Sequence, residues 1–225
     1  MQEPSSIIIA GSTGLIGHHL LNFALKNDEV QHVYSLTRRP LEEVSSKLIQ
    51  IVSSELAIDK ESLKESIPRI GFIALGTTIK QAGSKEALKA IDVSLVVDVA
   101  QSMHDIGVEC IYVVSCIGAS SSALSHYLKC KGEMEEKVTA IGFKNVTFMQ
   151  PGPLSGTRAE TRSDETLLQG IMKLFHPLMR GFLLNYKPIH GELVAQSMLD
   201  LALHNSETNG CYRYTSRDMF ALVNK

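Results

Sequence analysis

Residues 6–17 read SIIIAGSTGLIG, and this stretch decides the fold. The apolar run before the first glycine predicts a buried strand, and Leu15–Lys26 predicts an amphipathic helix. Between them, Gly11, Gly14 and Gly17 form a GxxGxxG turn, which allows a tight bend and close helix packing. Free N–H groups at such a helix start bind phosphate. The stretch therefore predicts a phosphate-binding βα unit, with an ordinary glycine-containing loop as the alternative.

Short β-branched runs alternate with longer amphipathic segments along the rest of the chain, as in βαβ units with a parallel sheet. Further strands are predicted at 32–36, 48–52, 71–75, 109–114, 145–149 and 211–214, and helices at 62–66, 84–104, 122–139 and 192–204. This order predicts an α/β fold with a Rossmann-type, doubly wound parallel sheet. We expect one NAD(P)-binding domain over 1–225, with a substrate-side elaboration within 151–225.

Composition excludes several classes of protein. The chain is 44% apolar and 20% charged, as in ordinary globular proteins, and its net charge of −2 argues against nucleic-acid binding. We find no apolar run near the ~18 residues of a membrane span and no basic leader, which predicts a cytoplasmic protein without a membrane partner. Without CxxC or HExxH spacing we expect no metal site, and we expect Cys110, Cys116, Cys130 and Cys211 to be small buried hydrophobes.

The ends of the second and fourth predicted strands carry candidate cofactor contacts. Arg38 and Arg39 stand where an NAD-binding fold usually has an acidic residue for the ribose. Paired guanidinium groups suit a 2′-phosphate, which predicts NADP(H) over NAD(H), although a solvated surface pair is the alternative. The turn after the fourth strand could line the cofactor's ribose and diphosphate through Leu75, Gly76, Thr77 and Thr78.

Three residues form a candidate catalytic set. Tyr127 and Lys131 are four residues apart on a predicted helix, which places them on one face. A nearby ammonium favours phenolate and would lower a tyrosine pKa from ~10 toward the range of a general acid. Ser115 ends the fifth strand and would polarise a substrate carbonyl, while Lys131 could also bind the nicotinamide ribose. The alternative is a surface tyrosine over a lysine stem.

The segments SIIIAGSTGLIG, LTRRP, ALGTT, VVSCIGA, YLKCKGEMEEKV and QPGPLSGTR, in this order, resemble the short-chain dehydrogenase/reductase superfamily. In detail they look like its atypical branch, which includes Tat-interacting-protein oxidoreductases and compact bacterial relatives labelled sugar-nucleotide epimerase-like. The resemblance covers about residues 6–203 and implies a Ser/Tyr/Lys triad with bound NADP(H). The implied contacts of the cofactor are Gly11, Ser12, Thr13, Gly14, Leu15, Ile16, Arg38 and Arg39, with Pro151 and Gly152 against the nicotinamide.

The chain departs from this family's pattern at three places. Many members carry paired serines where this chain has Ser115 and Cys116, and the second is often catalytic, so either residue could polarise the substrate. Asp92 stands where the helix after the GTT turn often carries asparagine. The acidic residue that often contacts adenine is absent from IVSSE, where Ser54 could serve.

The leading functional prediction is an NADP(H)-dependent oxidoreductase that transfers hydride to or from a small carbonyl or alcohol. One alternative is an NADPH-sensing regulatory protein with little turnover. Another is a sugar-nucleotide epimerase or dehydratase. Only 75 residues follow Gln150, which leaves little room for the additional substrate domain that nucleotide sugars usually require. Arg158 and Arg162 could hold an acidic substrate, with solvated loop charges balanced by Glu160, Asp164 and Glu165 as the alternative. The apolar segment 167–184 could form a lid or a homodimer surface, with plain core packing as the alternative.

Overall fold

The computed structural model describes residues 5–63, 65–155, 181–205 and 209–223. The predicted cation pair Arg158 and Arg162 and most of the apolar segment 167–184 lie outside these residues.

A parallel sheet forms the centre of the molecule. The strands are β1 (Ser5–Ala10), β2 (Val30–Thr37), β3 (Leu48–Val52), β4 (Ile70–Ile73), β5 (Cys110–Val114), β6 (Asn145–Gln150), β7 (Leu154–Ser155), β8 (Ile189–His190) and β9 (Gly210–Thr215). Seven of them form one sheet in the order β3-β2-β1-β4-β5-β6-β9, and each neighbouring pair is parallel. The order reverses beside β1, which confirms the predicted Rossmann α/β fold and opens a crevice at the carboxyl ends there.

Helices cover both faces of the sheet. They are α1 (Leu15–Lys26), α2 (Ile79–Ala82), α3 (Lys85–Lys89), a π-helical segment (Ala90–Leu95), α4 (Val96–Asp105), α5 (His126–Thr139), α6 (Gly191–Asn205) and α7 (Ser216–Val223). On β1, Ile8 and Ala10 belong to the core shared with α4 and α5, whereas Ile7 and Ile9 belong to the core shared with α1 and α6. Because both faces are buried there, residues 7–10 of the strand are all apolar. No described helix has the length and apolar character needed to cross a bilayer.

Three helix predictions need correction. The predicted helix 84–104 is interrupted by the π-helical segment, which inserts a wider turn between α3 and α4. At 62–66 no α-helix is described, because the N–H groups of Glu65 and Ser66 donate to the buried Tyr34 hydroxyl instead. Helix α5 begins at His126 rather than Ser122. The Ser122 N–H donates to Ser120 Oγ, and such local bonds between side chain and backbone compete with helix formation.

The cysteine prediction is also only partly right. Cys110 and Cys130 are buried, but Cys116 is half-buried and Cys211 is exposed on the edge strand β9. The reason is topological, because β9 has a neighbour on one side only and shows most of its residues to solvent.

Close packing joins the glycine turn to the helix that follows it. Gly11 has φ +95°, and a Cβ there would lie 2.7 Å from the backbone of Ala74 at the end of β4. A Cβ at Gly17 would lie 2.1 Å from the Gly11 carbonyl oxygen. Helix α1 therefore rests directly on the turn, and the turn rests on the neighbouring strand end.

We expect Gly17→Ala to lower the free energy of unfolding by about 1–3 kcal/mol, because the added methyl forces α1 off the turn. Denaturant unfolding followed by circular dichroism measures the change. His18→Ala, at the next and exposed position, is the control and should change stability by less than about 0.5 kcal/mol. Equal stability of the two variants would contradict this packing account.

Candidate active site

A cavity of about 370 Å³ lies at the carboxyl ends of β4, β5 and β6. Eleven of the predicted site residues line it: Leu15, Ile16, Leu75, Gly76, Thr77, Thr78, Ser115, Tyr127, Lys131, Pro151 and Gly152. They come from five separate parts of the chain, and they meet because parallel strands end at one edge of the sheet. Asp92, Cys116 and the partly exposed Tyr186 also line this cavity, which we call the substrate cavity.

A second cavity, of about 490 Å³, adjoins the first through Leu75. The other predicted residues that line it are Gly11, Ser12, Thr13, Arg38 and Arg39. We call it the phosphate cavity. Leu56 lines it from the segment after β3, whereas Ser54 lies on the far side of that segment. The remaining predicted contact, Gly14, is the N-cap of α1, and its own N–H donates to the Gly11 carbonyl at 3.0 Å.

The start of α1 is suited to an anion. No side chain caps this helix, and its first turn holds no acidic residue. The first N–H groups of a helix have no partner within it, and they carry partial positive charge. A phosphate placed between the two cavities would satisfy them.

Thr37 adds a polar group that the sequence analysis missed. It is buried at the end of β2, and its Oγ1 has no hydrogen-bond partner among the described residues. Arg38 and Arg39 follow it, exposed on the wall of the phosphate cavity. A buried hydroxyl without a partner is costly, so a bound ligand would relieve it. A hydroxyl residue directly between a predicted strand and an arginine pair is the signal that could have found Thr37.

Helix α5 places Tyr127 and Lys131 at the substrate cavity, as their spacing predicts. Lys131 is buried, and its Nζ lies 3.2 Å from Oδ2 of the fully buried Asp92. Asp92 Oδ1 also accepts the Thr77 N–H at 2.8 Å. Asp92 belongs to the π-helical segment, a rare feature that is frequently found at functional sites. The ammonium near the phenol is therefore half of a buried ion pair.

Ser115 donates its hydroxyl proton to a carboxylate below the cavity. Ser115 Oγ lies 2.5 Å from Oε1 of Glu135, which is buried one helical turn beyond Lys131. Glu135 also accepts from Gln150 Nε2 and Arg213 Nε, each at 2.8 Å. This network joins the ends of β5 and β6 to β9. The spacing of four residues from Tyr127 to Lys131 to Glu135 is the signal that could have found it.

Cys116 lies on the cavity wall next to Ser115. Its thiol is hydrogen-bonded to the side chain of Tyr127, and burial raises its pKa to about 11, although the Lys131 ammonium acts in the opposite direction. The thiol is therefore protonated near neutral pH and can act as a weak donor rather than a nucleophile. The structure thus separates the two residues: Ser115 donates into the protein, while Cys116 contacts the candidate acid.

Two solved structures have the same fold. MoeE5, in complex with UDP-glucose and NAD, is 17% identical with a TM-score of 0.66, over 94% of this chain and 76% of that chain. The oxidoreductase ylbE from Lactococcus lactis is 17% identical with a TM-score of 0.62, over 98% of this chain and 97% of that chain. At this identity the likeness shows the fold.

Curated relatives are much closer in sequence. Protein FMP52, mitochondrial, of Debaryomyces hansenii is 32% identical over 201 residues, 88% of this chain and 87% of the relative. Its counterpart of Saccharomyces cerevisiae is 31% identical over 217 residues, 94% of each chain. These relatives are named mitochondrial, so the predicted cytoplasmic location is wrong. No family model matches the chain. The two alignments nevertheless span nearly the whole chain above 30% identity, and this chain therefore belongs to the FMP52 family.

Proposed function

We propose that this chain is an NADP(H)-dependent oxidoreductase of the atypical short-chain dehydrogenase/reductase type, acting on a small carbonyl or alcohol. One observation carries the proposal: Tyr127, Lys131 and the turn after β4 line a single cavity that adjoins the uncapped start of α1. Acid, cation and phosphate site together are the groups that a nicotinamide-dependent reduction needs. The names of the relatives place those proteins in mitochondria, and we propose the same compartment for this one.

The two cavities fit an extended dinucleotide. The turn and the start of α1 would bind the diphosphate, because the close approach at Gly11 leaves room for backbone only. Thr37 Oγ1, which has no partner within the described residues, would donate to a 2′-phosphate between Arg38 and Arg39. When bound, the nicotinamide supplies the hydride donor or acceptor.

The residues of the substrate cavity divide the remaining work. Tyr127 gives a proton to the substrate oxygen during reduction and takes it back during oxidation. Lys131 binds and orients the cofactor's ribose. Cys116, rather than Ser115, donates to the substrate oxygen beside Tyr127, since the Ser115 proton is held by Glu135. Apolar groups, among them Ile117, also line the cavity.

A regulatory NADPH-binding protein is the second candidate. Two observations favour it: the ammonium near Tyr127 is neutralised by Asp92, and a thiol is a weaker donor than a hydroxyl. Both would slow proton transfer without affecting cofactor binding. This candidate predicts tight NADPH binding with no turnover across a broad panel of aldehydes and ketones. A sugar-nucleotide substrate would instead raise the melting temperature when UDP-sugars are added.

Replacing Tyr127 by Phe tests the catalytic assignment. We expect turnover of any accepted carbonyl to fall by about 10²- to 10⁴-fold, because the proton donor is lost, while NADPH affinity stays within about twofold. Absorbance of NADPH measures the rate, and calorimetry measures the affinity. Tyr212→Phe, on the exposed edge strand, is the matched control. Undiminished turnover in Tyr127→Phe would refute the proposed acid.

Replacing both Arg38 and Arg39 by Ala tests the cofactor preference. We expect NADPH affinity to fall by about 10- to 100-fold and NADH affinity to change little, because two charge-assisted contacts to the 2′-phosphate are removed. Calorimetric titration with each nucleotide measures both. Arg69→Ala serves as the control, since Arg69 pairs with Glu109 at the opposite ends of the strands. Equal losses for NADPH and NADH would count against a phosphate site here.

Substitutions at Ser115 and at Cys116 test which of the two residues donates to the substrate oxygen. Ser115→Ala should destabilise the fold by about 1–3 kcal/mol, because Glu135 loses one of its three donors. Cys116→Ser should raise kcat several-fold with little change in stability, because a hydroxyl is the stronger donor. Denaturant unfolding and steady-state kinetics measure the two effects. A large loss of kcat in stably folded Ser115→Ala would return the polarising role to Ser115.

A further inference from the structure

We propose that Asp92 is a positioning residue that holds Lys131 in the cavity and compensates its charge, so that Tyr127 faces a neutral ion pair. The catalytic consequence rests on the proposed oxidoreductase function. The electrostatic part concerns the ionisation of Tyr127, which can be measured without any substrate.

Asp92 and Lys131 form a buried ion pair. Asp92 is fully buried, the Lys131 side chain is 3% exposed, and Nζ and Oδ2 are 3.2 Å apart. Charges in such surroundings persist only when they are paired, and their fields are poorly screened by solvent. Oδ2 has no hydrogen-bond partner among the described residues, and the ion pair with the ammonium is the interaction found for it there. A neighbouring group therefore experiences both charges together.

Asp92 also contacts the turn after β4. Oδ1 accepts the Thr77 N–H at 2.8 Å, which ties the π-helical segment to the turn after β4. A Cβ at Gly76 would lie 3.5 Å from Lys131 Nζ and 3.6 Å from Asp92 Oδ1, so the turn packs directly over the ion pair. Asp92 thus joins the β4 turn to α5. The ammonium is held in one place at the wall of the substrate cavity.

The surrounding groups leave this role to Asp92. Glu135, the next carboxylate along the same face of α5, is already bound by Ser115, Gln150 and Arg213. Asp92, Glu135 and Tyr127 interact with Cys116, which lines the same cavity as Lys131. Cys130, the residue before Lys131, interacts with Asp92, with Lys89 on α3 and with Glu133 on α5, and its thiol contacts His126. Glu133 is paired with Lys89. Among the described residues, Asp92 is the carboxylate that makes an ion pair with Lys131.

Asp92→Asn tests the inference. The amide oxygen can still accept the Thr77 N–H and the side chain keeps its shape, but the negative charge is gone. The uncompensated ammonium should then favour phenolate and lower the pKa of Tyr127 by about one pH unit. Near-ultraviolet absorbance of the cofactor-free full chain follows phenolate formation, with Tyr127→Phe and Asp92→Asn/Tyr127→Phe subtracted as matched backgrounds. Burial raises the pKa of Tyr112 and of Tyr214, and the subtraction removes the absorbance of every tyrosine other than Tyr127.

Two further variants complete the test. Asp98→Asn, exposed on α4, makes the same chemical change away from the cavity and should leave the titration unmoved. Asp92→Asn/Lys131→Gln restores the original net charge of the pair and should return the titration to within a few tenths of a pH unit of the parent protein. If Asp92→Asn does not fold, Lys131→Gln alone should titrate higher than this double variant, because it leaves Asp92 uncompensated.

An unchanged titration in folded Asp92→Asn, or equal titrations of Lys131→Gln and the double variant, would overturn the proposal. If a carbonyl substrate is found, the limb of the pH–rate profile that belongs to Tyr127 should move down by the same amount as the absorbance titration. Absence of turnover with every substrate would count against the oxidoreductase function alone, because the absorbance result stands independently of it.

Discussion

Burial of the sheet on both faces is the constraint on which the rest of the structure depends. Ile7 and Ile9 pack against one helical layer, and Ile8 and Ala10 pack against the other. An interior strand of this kind has no free face for polar chemistry, so reactive groups collect where the strands end. The parallel arrangement brings those ends to one edge. The phosphate and substrate cavities both lie at this edge.

Two buried carboxylates, Asp92 and Glu135, bind the elements that meet at the carboxyl ends of the strands. Asp92 pairs with Lys131 and accepts the Thr77 N–H of the turn after β4, and Glu135 joins the ends of β5 and β6 to β9 through Ser115, Gln150 and Arg213. Each carboxylate is paired with a cation and accepts at least one neutral hydrogen bond, which is the condition under which buried charge is tolerated. Removing one partner would leave a buried charge uncompensated. The proposed proton donor, Tyr127, lines the same cavity as the Asp92–Lys131 pair and contacts Cys116.

The pattern of apolar residues predicted some features of this fold and not others. The period of apolar residues located the central strands, because buried parallel strands read as short apolar runs. The same pattern did not predict the interruption of the helix 84–104. A π-helical turn keeps the apolar character of its neighbours while it changes which residues face the cavity. The predicted location was wrong because cellular addresses are read by receptors and do not follow from bulk composition. Thr37 was missed because whether its hydroxyl has a partner depends on distant strands.

The sequence by itself determined the βα order, the glycine turn and the joint placement of Tyr127 and Lys131, because each depends on neighbours within a few residues. Only the tertiary structure decided which groups those side chains meet. Glu135 and Arg213 are 78 residues apart, and Asp92 reaches Lys131 from a different helical segment. Such contacts depend on how whole elements pack, and a one-residue rotation of the π-helical segment would remove Asp92 from the site. The chemistry of the candidate site is therefore a property of packing, while its position on the sheet edge was already present in the order of the strands and helices.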